Sequence, residues 1–165
     1  MAARIAPIKS AAPAAAAVSP DWAKVTRLLH ITRALDDIEQ TRLMPERKVL
    51  YQFCARGHDL AQILLGMQLT DAHDGASVYY RSRPLMLTLG TDLEELAAGP
   101  LAREGSCTGG RDIGVVFNRP GHGGVSVLPA VGGVGAQYTP ASGWAQAIRY
   151  RHEVLGDASY ARSIA

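Results

Sequence analysis

Twelve of the 17 glycines in this chain lie in residues 99–143, together with Pro100, Pro120, Pro129 and Pro140. Glycine weakens helix and strand interiors and proline interrupts them, so the stretch is predicted as a long loop. A loop of that length inside a compact domain is usually functional or mobile, which makes it the first place to look for a site. Regular structure falls on either side: residues 19–98 read as mainly helical, and a helical pattern returns from Pro140 to His152. No internal repeat is visible.

The helical half carries its own punctuation. Ser19-Pro20-Asp21 is a helix start, with a capping hydroxyl, a proline at the first helical position and an acid near the positive dipole end. Leu28, Ile31, Leu35 and Ile38 recur at helical spacing until Pro45 ends the pattern. A second helix is predicted after Gly57, with Leu60, Ile63, Leu64 and Met67 on its buried face. Asp71 to Gly75 reads as a turn, and Thr91-Asp92-Leu93-Glu94 has the form of a capping box. In the last helix Trp144, Ala147, Ile148 and Val154 are the expected buried side. Residues 1–18 hold nine alanines and no acid; an apolar run between Arg4 and Lys9 has the outline of a secretion signal, but weak hydrophobicity and Pro13 favour a flexible, solvated tail.

Composition closes off several classes. With 165 residues and 47% apolar residues the chain is long enough for one domain with a real core and too apolar for wholesale disorder. A formal charge of +2, with Lys and Arg dispersed, gives no footprint for nucleic acid. No run of about 18 apolar residues exists to span a membrane. Two cysteines, Cys54 and Cys107, fit a reduced, cytoplasmic protein better than a disulfide framework. The five histidines show no metal-ligand spacing, no serine or cysteine sits in a nucleophile elbow, and nothing marks Cys107 as activated.

Three short segments could carry chemistry. Gly57-His58-Asp59 opens a helix, where unpaired N–H groups bind anions, although Asp59 could simply cap it. Tyr79-Tyr80-Arg81, followed by Arg83, offers a guanidinium fork beside a phenol, as phosphate recognition requires; equally, Arg81 and Arg83 could be surface charges beside a strand of Val78 to Tyr80. Gly132-Gly133-Val134-Gly135-Ala136-Gln137 lets a ligand approach the backbone just before a helix, or is a plain flexible turn. It is no dinucleotide fingerprint, because a third glycine would have to replace Tyr138, and no Gly-Lys-Ser/Thr follows it.

The order of these segments resembles a known family. A long first helix ending near Leu43, then Gly57-His58-Asp59, Tyr80-Arg81, Gly109-Gly110-Arg111-Asp112 and Gly132 to Gln137, is similar to the amino-terminal part of the alpha-type subunit of thiamine-diphosphate-dependent 2-oxoacid dehydrogenases. The resemblance covers roughly residues 22–160. It implies an α/β chain, a partial thiamine-diphosphate-binding fold that is helix-rich with few strands, with a tail over 1–18 and the domain over 19–165. Tyr80 and Arg81 would bind the diphosphate; Gly132 and Val134 would contact the aminopyrimidine, Val134 helping to hold the bent cofactor; Gln137 would support the loop, in some relatives through potassium. Gly109 to Asp112 matches a mobile segment near the mouth of the site. Gly110-Arg111-Asp112-Ile113 and Val115-Val116-Phe117-Asn118 look closer to the branched-chain type than to the pyruvate type.

The activity so implied is the decarboxylating first component of a 2-oxoacid dehydrogenase complex. A small 2-oxoacid loses carbon dioxide and its acyl unit passes to the lipoyl group of an acyltransferase component, with a beta-type subunit or domain as the other partner. Magnesium belongs to a Gly-Asp-Gly motif that would begin beyond Ala165, so the resemblance implies an incomplete chain, inactive alone. A histidine that some relatives carry before the Gly57 turn is replaced here by Tyr51-Gln52-Phe53-Cys54. Two other readings stand beside this one: a non-catalytic truncated module or remnant, and an unrelated helical protein whose Gly-rich loop binds a phosphate-bearing ligand.

Overall fold

A computed structural model of the chain describes residues 19–111, 116–121 and 124–165. The expected tail over 1–18, and Asp112, Ile113 and Val115 of the Gly-rich comparison, lie outside the described residues.

Helix α1 spans Trp22–Ile38 and continues as a π-helical turn, Glu39–Leu43. Its cap is Asp21, whose carboxylate accepts the Lys24 N–H at 3.0 Å, rather than Ser19: the carboxylate stands three residues before that amide, where a cap is needed. The buried side of α1 is also rotated from the expected one. Val25, Leu28, Thr32, Asp36 and then Glu39 face inward, while Ile38 is 47% exposed. The reason is electrostatic. Buried Arg83 donates to both Glu39 oxygens at 2.7 and 2.9 Å and to Asp36 at 3.4 Å, so the acids turn inward at the apolar residues' expense. Arg83 is therefore not a surface charge.

Helix α2, Asp59–Gly66, follows Gly57, whose φ of +97° suits glycine. Ile63 is fully buried against Val25 and Leu28, whereas Leu60, expected on that face, is 41% exposed. Strand β1, Gly75–Ser77, comes next, earlier than the strand Val78 to Tyr80 expected as one option. Helices α3, Arg83–Thr88, and α4, Leu93–Ala98, then begin the crossover. The capping box at α4 does not form. Asp92 occupies the cap position without a side-chain bond, and the Thr91 hydroxyl is buried without a partner.

The Gly-rich stretch is less uniform than its composition implies, because it contains strand β2, Ser126–Leu128. This pairs parallel to β1 in the register Gly75↔Ser126, Ala76↔Val127, Ser77↔Leu128. The protein is thus helix-rich, with a single two-stranded parallel sheet among the described residues, at the level of an α/β chain with few strands. Leu69, Ala76, Val78, Leu85, Met86, Leu96, Val127 and Ala130 form the larger apolar core around the sheet.

Helix α5, Tyr138–Arg149, ends in a π-helical turn, Tyr150–Val154, and a short 3-10 turn, Ala158–Tyr160. Trp144 lies over Gly75 and donates its indole N–H to the His73 carbonyl at 3.1 Å. Ile148 is buried and Trp144 half-buried, but Ala147 and Val154 are exposed, because the inward stripe runs through Ala141, Trp144, Ala145 and Ile148 at helical spacing. The last residues return to the start of β1: the Gly75 N–H donates to the Ile164 carbonyl at 2.9 Å, and Asp74 accepts the Ile164 N–H at 2.8 Å. No helix of the described residues is long and apolar enough to cross a membrane.

Candidate functional site

Parallel strands place their chain exits at one end of a sheet, and ligands of open α/β sheets bind outside those carboxyl ends. Here β1 runs out into Val78-Tyr79-Tyr80-Arg81 and β2 into Pro129 to Gln137, so two segments about 50 residues apart in sequence emerge side by side.

Two side-chain bonds tie them together. The Gln137 amide donates to the Val78 carbonyl at 2.8 Å and to the Pro129 carbonyl at 3.3 Å, closing the two strand ends with one group. The Tyr79 hydroxyl donates to the Gly132 carbonyl at 2.7 Å. Between them lies a cavity of about 270 Å³ lined by Ser77, Val78, Tyr79, Val134, Gly135, Gln137 and Tyr138. None of those residues is charged, and Val134 is 92% exposed at the rim, so the wall is apolar and open. Gly135 has φ of +80°, a left-handed backbone conformation that favours glycine at this point of the loop.

Arg81 faces the other way. Its guanidinium lies 5.3 Å from the Tyr80 ring centre and 5.8 Å from that of Phe53, and donates to the Cys54 carbonyl at 2.7 Å. Phe53, Tyr80 and Tyr79 form a run of ring contacts, with centroids 4.5 and 4.1 Å apart, leading back to the cavity. The Arg81 main-chain carbonyl accepts from Gln62 at 3.1 Å, and that same amide lies 2.6 Å from His58 Nδ1. One bond uses one of the five N–H donors that a guanidinium carries, which leaves the fork able to take an anion.

Of the sequence-derived candidates, Val134 and Gln137 therefore line one cavity, Gly132 is tied to its wall through the Tyr79 hydroxyl, and Tyr80 and Arg81 stand beside it, joined through the Tyr79 ring. Asp59 serves the start of α2 itself rather than leaving it to a ligand, because its carboxylate accepts a first-turn N–H. His58 holds the cap position, and the buried Asp59 carboxylate takes Arg33 at 2.9 Å and the Leu60 N–H at 3.0 Å. Burial alone would raise that carboxyl, but these two donors outweigh it and hold it below the ordinary carboxylate value. In the Gly-rich segment, the Gly110 N–H donates to Ser106 at 2.9 Å, and Ser106 and Cys107 share a narrow cleft with Tyr80 and Arg83.

Phe53 and Asp36 were not singled out from the sequence. Asp36 and Glu39, three apart on a helix whose inward face also carries Leu28 and Thr32, were a signal for a buried cationic partner.

No protein-family model matches this chain, and no curated protein matches it.

Proposed function

We propose that the chain is the amino-terminal part of the decarboxylating first component of a 2-oxoacid dehydrogenase, with thiamine diphosphate held at the carboxyl ends of β1 and β2. The observation that carries this reading is the juxtaposition just described: Tyr79-Tyr80-Arg81 and the Gly132 to Gln137 loop, far apart in sequence, are tied together by Tyr79 and Gln137.

The donor set suits the cofactor. The diphosphate is an anion for the Arg81 fork and the Tyr80 hydroxyl, and the apolar wall of Val134, Val78 and Tyr79 suits flat heteroaromatic rings. Gly132 and Val134 offer backbone groups to the aminopyrimidine, and Gln137 keeps that loop against the sheet. Bound thiamine diphosphate supplies the carbanion that attacks the 2-oxoacid carbonyl. The chain's own contribution is to bind, orient and exclude water. Among the described residues no group of His, Cys, Asp and Glu could hold a metal ion, so magnesium is assigned no ligand here. The beta-type partner, the lipoyl-bearing acyltransferase, the small 2-oxoacid, its branched-chain character and a cytoplasmic setting belong to the same proposal.

Calorimetric titration of thiamine diphosphate with magnesium into the full chain tests it. The expected result is binding that Arg81→Ala weakens about tenfold or more, as loss of a charge-assisted pair requires. Absence of binding to the wild-type chain, or equal affinity in Arg81→Ala, overturns the reading.

A further inference from the structure

We propose that Asp36, remote from the cavity, is the positioning residue for Arg81, acting through the segment Gln52–Ala55. This rests on the preceding reading only in taking Arg81 as the anion-binding group.

Residues 51–55 have no regular secondary structure, so something other than a backbone ladder must hold them. Asp36, 2% exposed, is that anchor. Its Oδ1 accepts from Gln52 at 3.3 Å and from Arg83 at 3.4 Å. Its Oδ2 accepts from the Cys54 thiol at 3.2 Å and from the Ala55 N–H at 3.4 Å. Three residues of one short segment are thereby fixed to one carboxylate. The opposite side of the same segment meets Arg81: the Cys54 carbonyl accepts its Nη1 at 2.7 Å, and the Phe53 ring lies beneath its guanidinium and against Tyr80.

A buried carboxylate is costly unless its lone pairs are filled. Asp36 has four donors only while residues 52–55 stay where they are, so its burial penalises any movement of that segment. The Cys54 thiol remains a donor because burial, first of all, pushes it above its ordinary value. An asparagine has the same shape but the wrong chemistry. Its NH2 group would face the Ala55 N–H on one side or the Arg83 guanidinium on the other, and neither of those can accept, so the amide loses a partner whichever way it sits.

The Arg81 guanidinium should therefore be released when this anchor is cut, with or without a cofactor present. Phenylglyoxal labelling of the full chain, with rates read peptide by peptide in a mass spectrometer, measures that directly. Asp36→Asn should raise the labelling rate at Arg81 about fivefold, the equivalent of one hydrogen bond, and leave exposed Arg27 and Arg151 unchanged. Cys54→Ala removes a single donor with little risk to the fold. It should raise the Arg81 rate too, and Cys54→Ser, which restores a donor, should return it towards wild type; a general loosening would show no such rescue. An unchanged Arg81 rate in both Asp36→Asn and Cys54→Ala, or equal rates in Cys54→Ala and Cys54→Ser, overturns the proposal. The functional reading fails separately, if the Arg81 rate rises as expected while Arg81→Ala leaves thiamine diphosphate affinity untouched.

Discussion

At Gly75 the constraint comes from a side chain 69 residues away. A Cβ built on Gly75 would lie 2.5 Å from the Trp144 indole nitrogen, closer than atoms can approach, so either β1 or α5 has to shift to admit a methyl group. Gly75→Ala should lower the free energy of unfolding by about 1–3 kcal/mol in urea denaturation. Gly143 is the control. It sits inside α5 with nothing within 4 Å of a built Cβ, and Gly143→Ala should stabilise by about 0.4–1 kcal/mol. The sequence marked Gly75 only as the end of a turn, since the tryptophan that explains it is placed by tertiary packing. Gly57, by contrast, was legible as a helix-start glycine because its φ of +97° is a local requirement.

Elements are joined by charge as much as by apolar burial. The π-helical turn after α1 meets the start of α3 through Arg83, with Glu39 and Asp36 on one guanidinium. Removing one partner of a buried set strands the others, so Arg83→Leu should destabilise the protein by about 3–5 kcal/mol. Adding Glu39→Gln should return part of that loss, because the stranded carboxylate is then gone; equal stability of the single and double variants by urea melt would show that the two residues do not act as a pair. This contact explains why the extent of α1 was readable and its inward face was not. Periodicity places apolar residues together but cannot see an arginine 44 residues on that draws the acids inward. Strand β2 was missed for the complementary reason. Val125, Val127 and Leu128 between Gly124 and Pro129 carry a strand pattern, yet the surrounding glycines read as loop. The candidate site was legible as two segments, Tyr79-Tyr80-Arg81 and Gly132 to Gln137, that the fold brings side by side. What joins them, the side chains of Tyr79 and Gln137 reaching backbone carbonyls, depends on the parallel pairing that sequence periodicity did not reveal.

Over the whole molecule, the carboxyls of the described residues that depart from their ordinary values fall into two sets that pull the pH dependence of stability in opposite directions. Asp59 is held below its ordinary value by Arg33 and Leu60 against the opposing effect of burial; Asp71 is held down by the His73 N–H first and then by Ser163 and Arg162; and Asp157 by Ser159. Groups lowered on folding bind fewer protons in the native state than in the unfolded one, so they favour folding above the unfolded pKa and lose that contribution as pH falls through the folded value. Glu39 is the reverse case. Burial raises its carboxyl first, with Arg83 only partly opposing it, so the native state holds its proton longer and stability falls as pH rises through the window above its ordinary value of about 4.3. The protein should therefore lose stability on acidification below about pH 4, and Glu39→Gln should leave that acid limb in place while removing the loss that sets in as pH rises above the ordinary carboxylate value. Urea midpoints at intervals from pH 2.5 to 8 separate the two sets. Arg33→Gln should flatten the acid limb, because it removes the first of the donors that hold Asp59 down, and it should leave the Glu39 limb unchanged. A Glu39→Gln profile parallel to that of the wild type over the whole range would mean that Glu39 keeps its ordinary titration inside the fold, and that the Arg83 cluster balances the burial of its second acid.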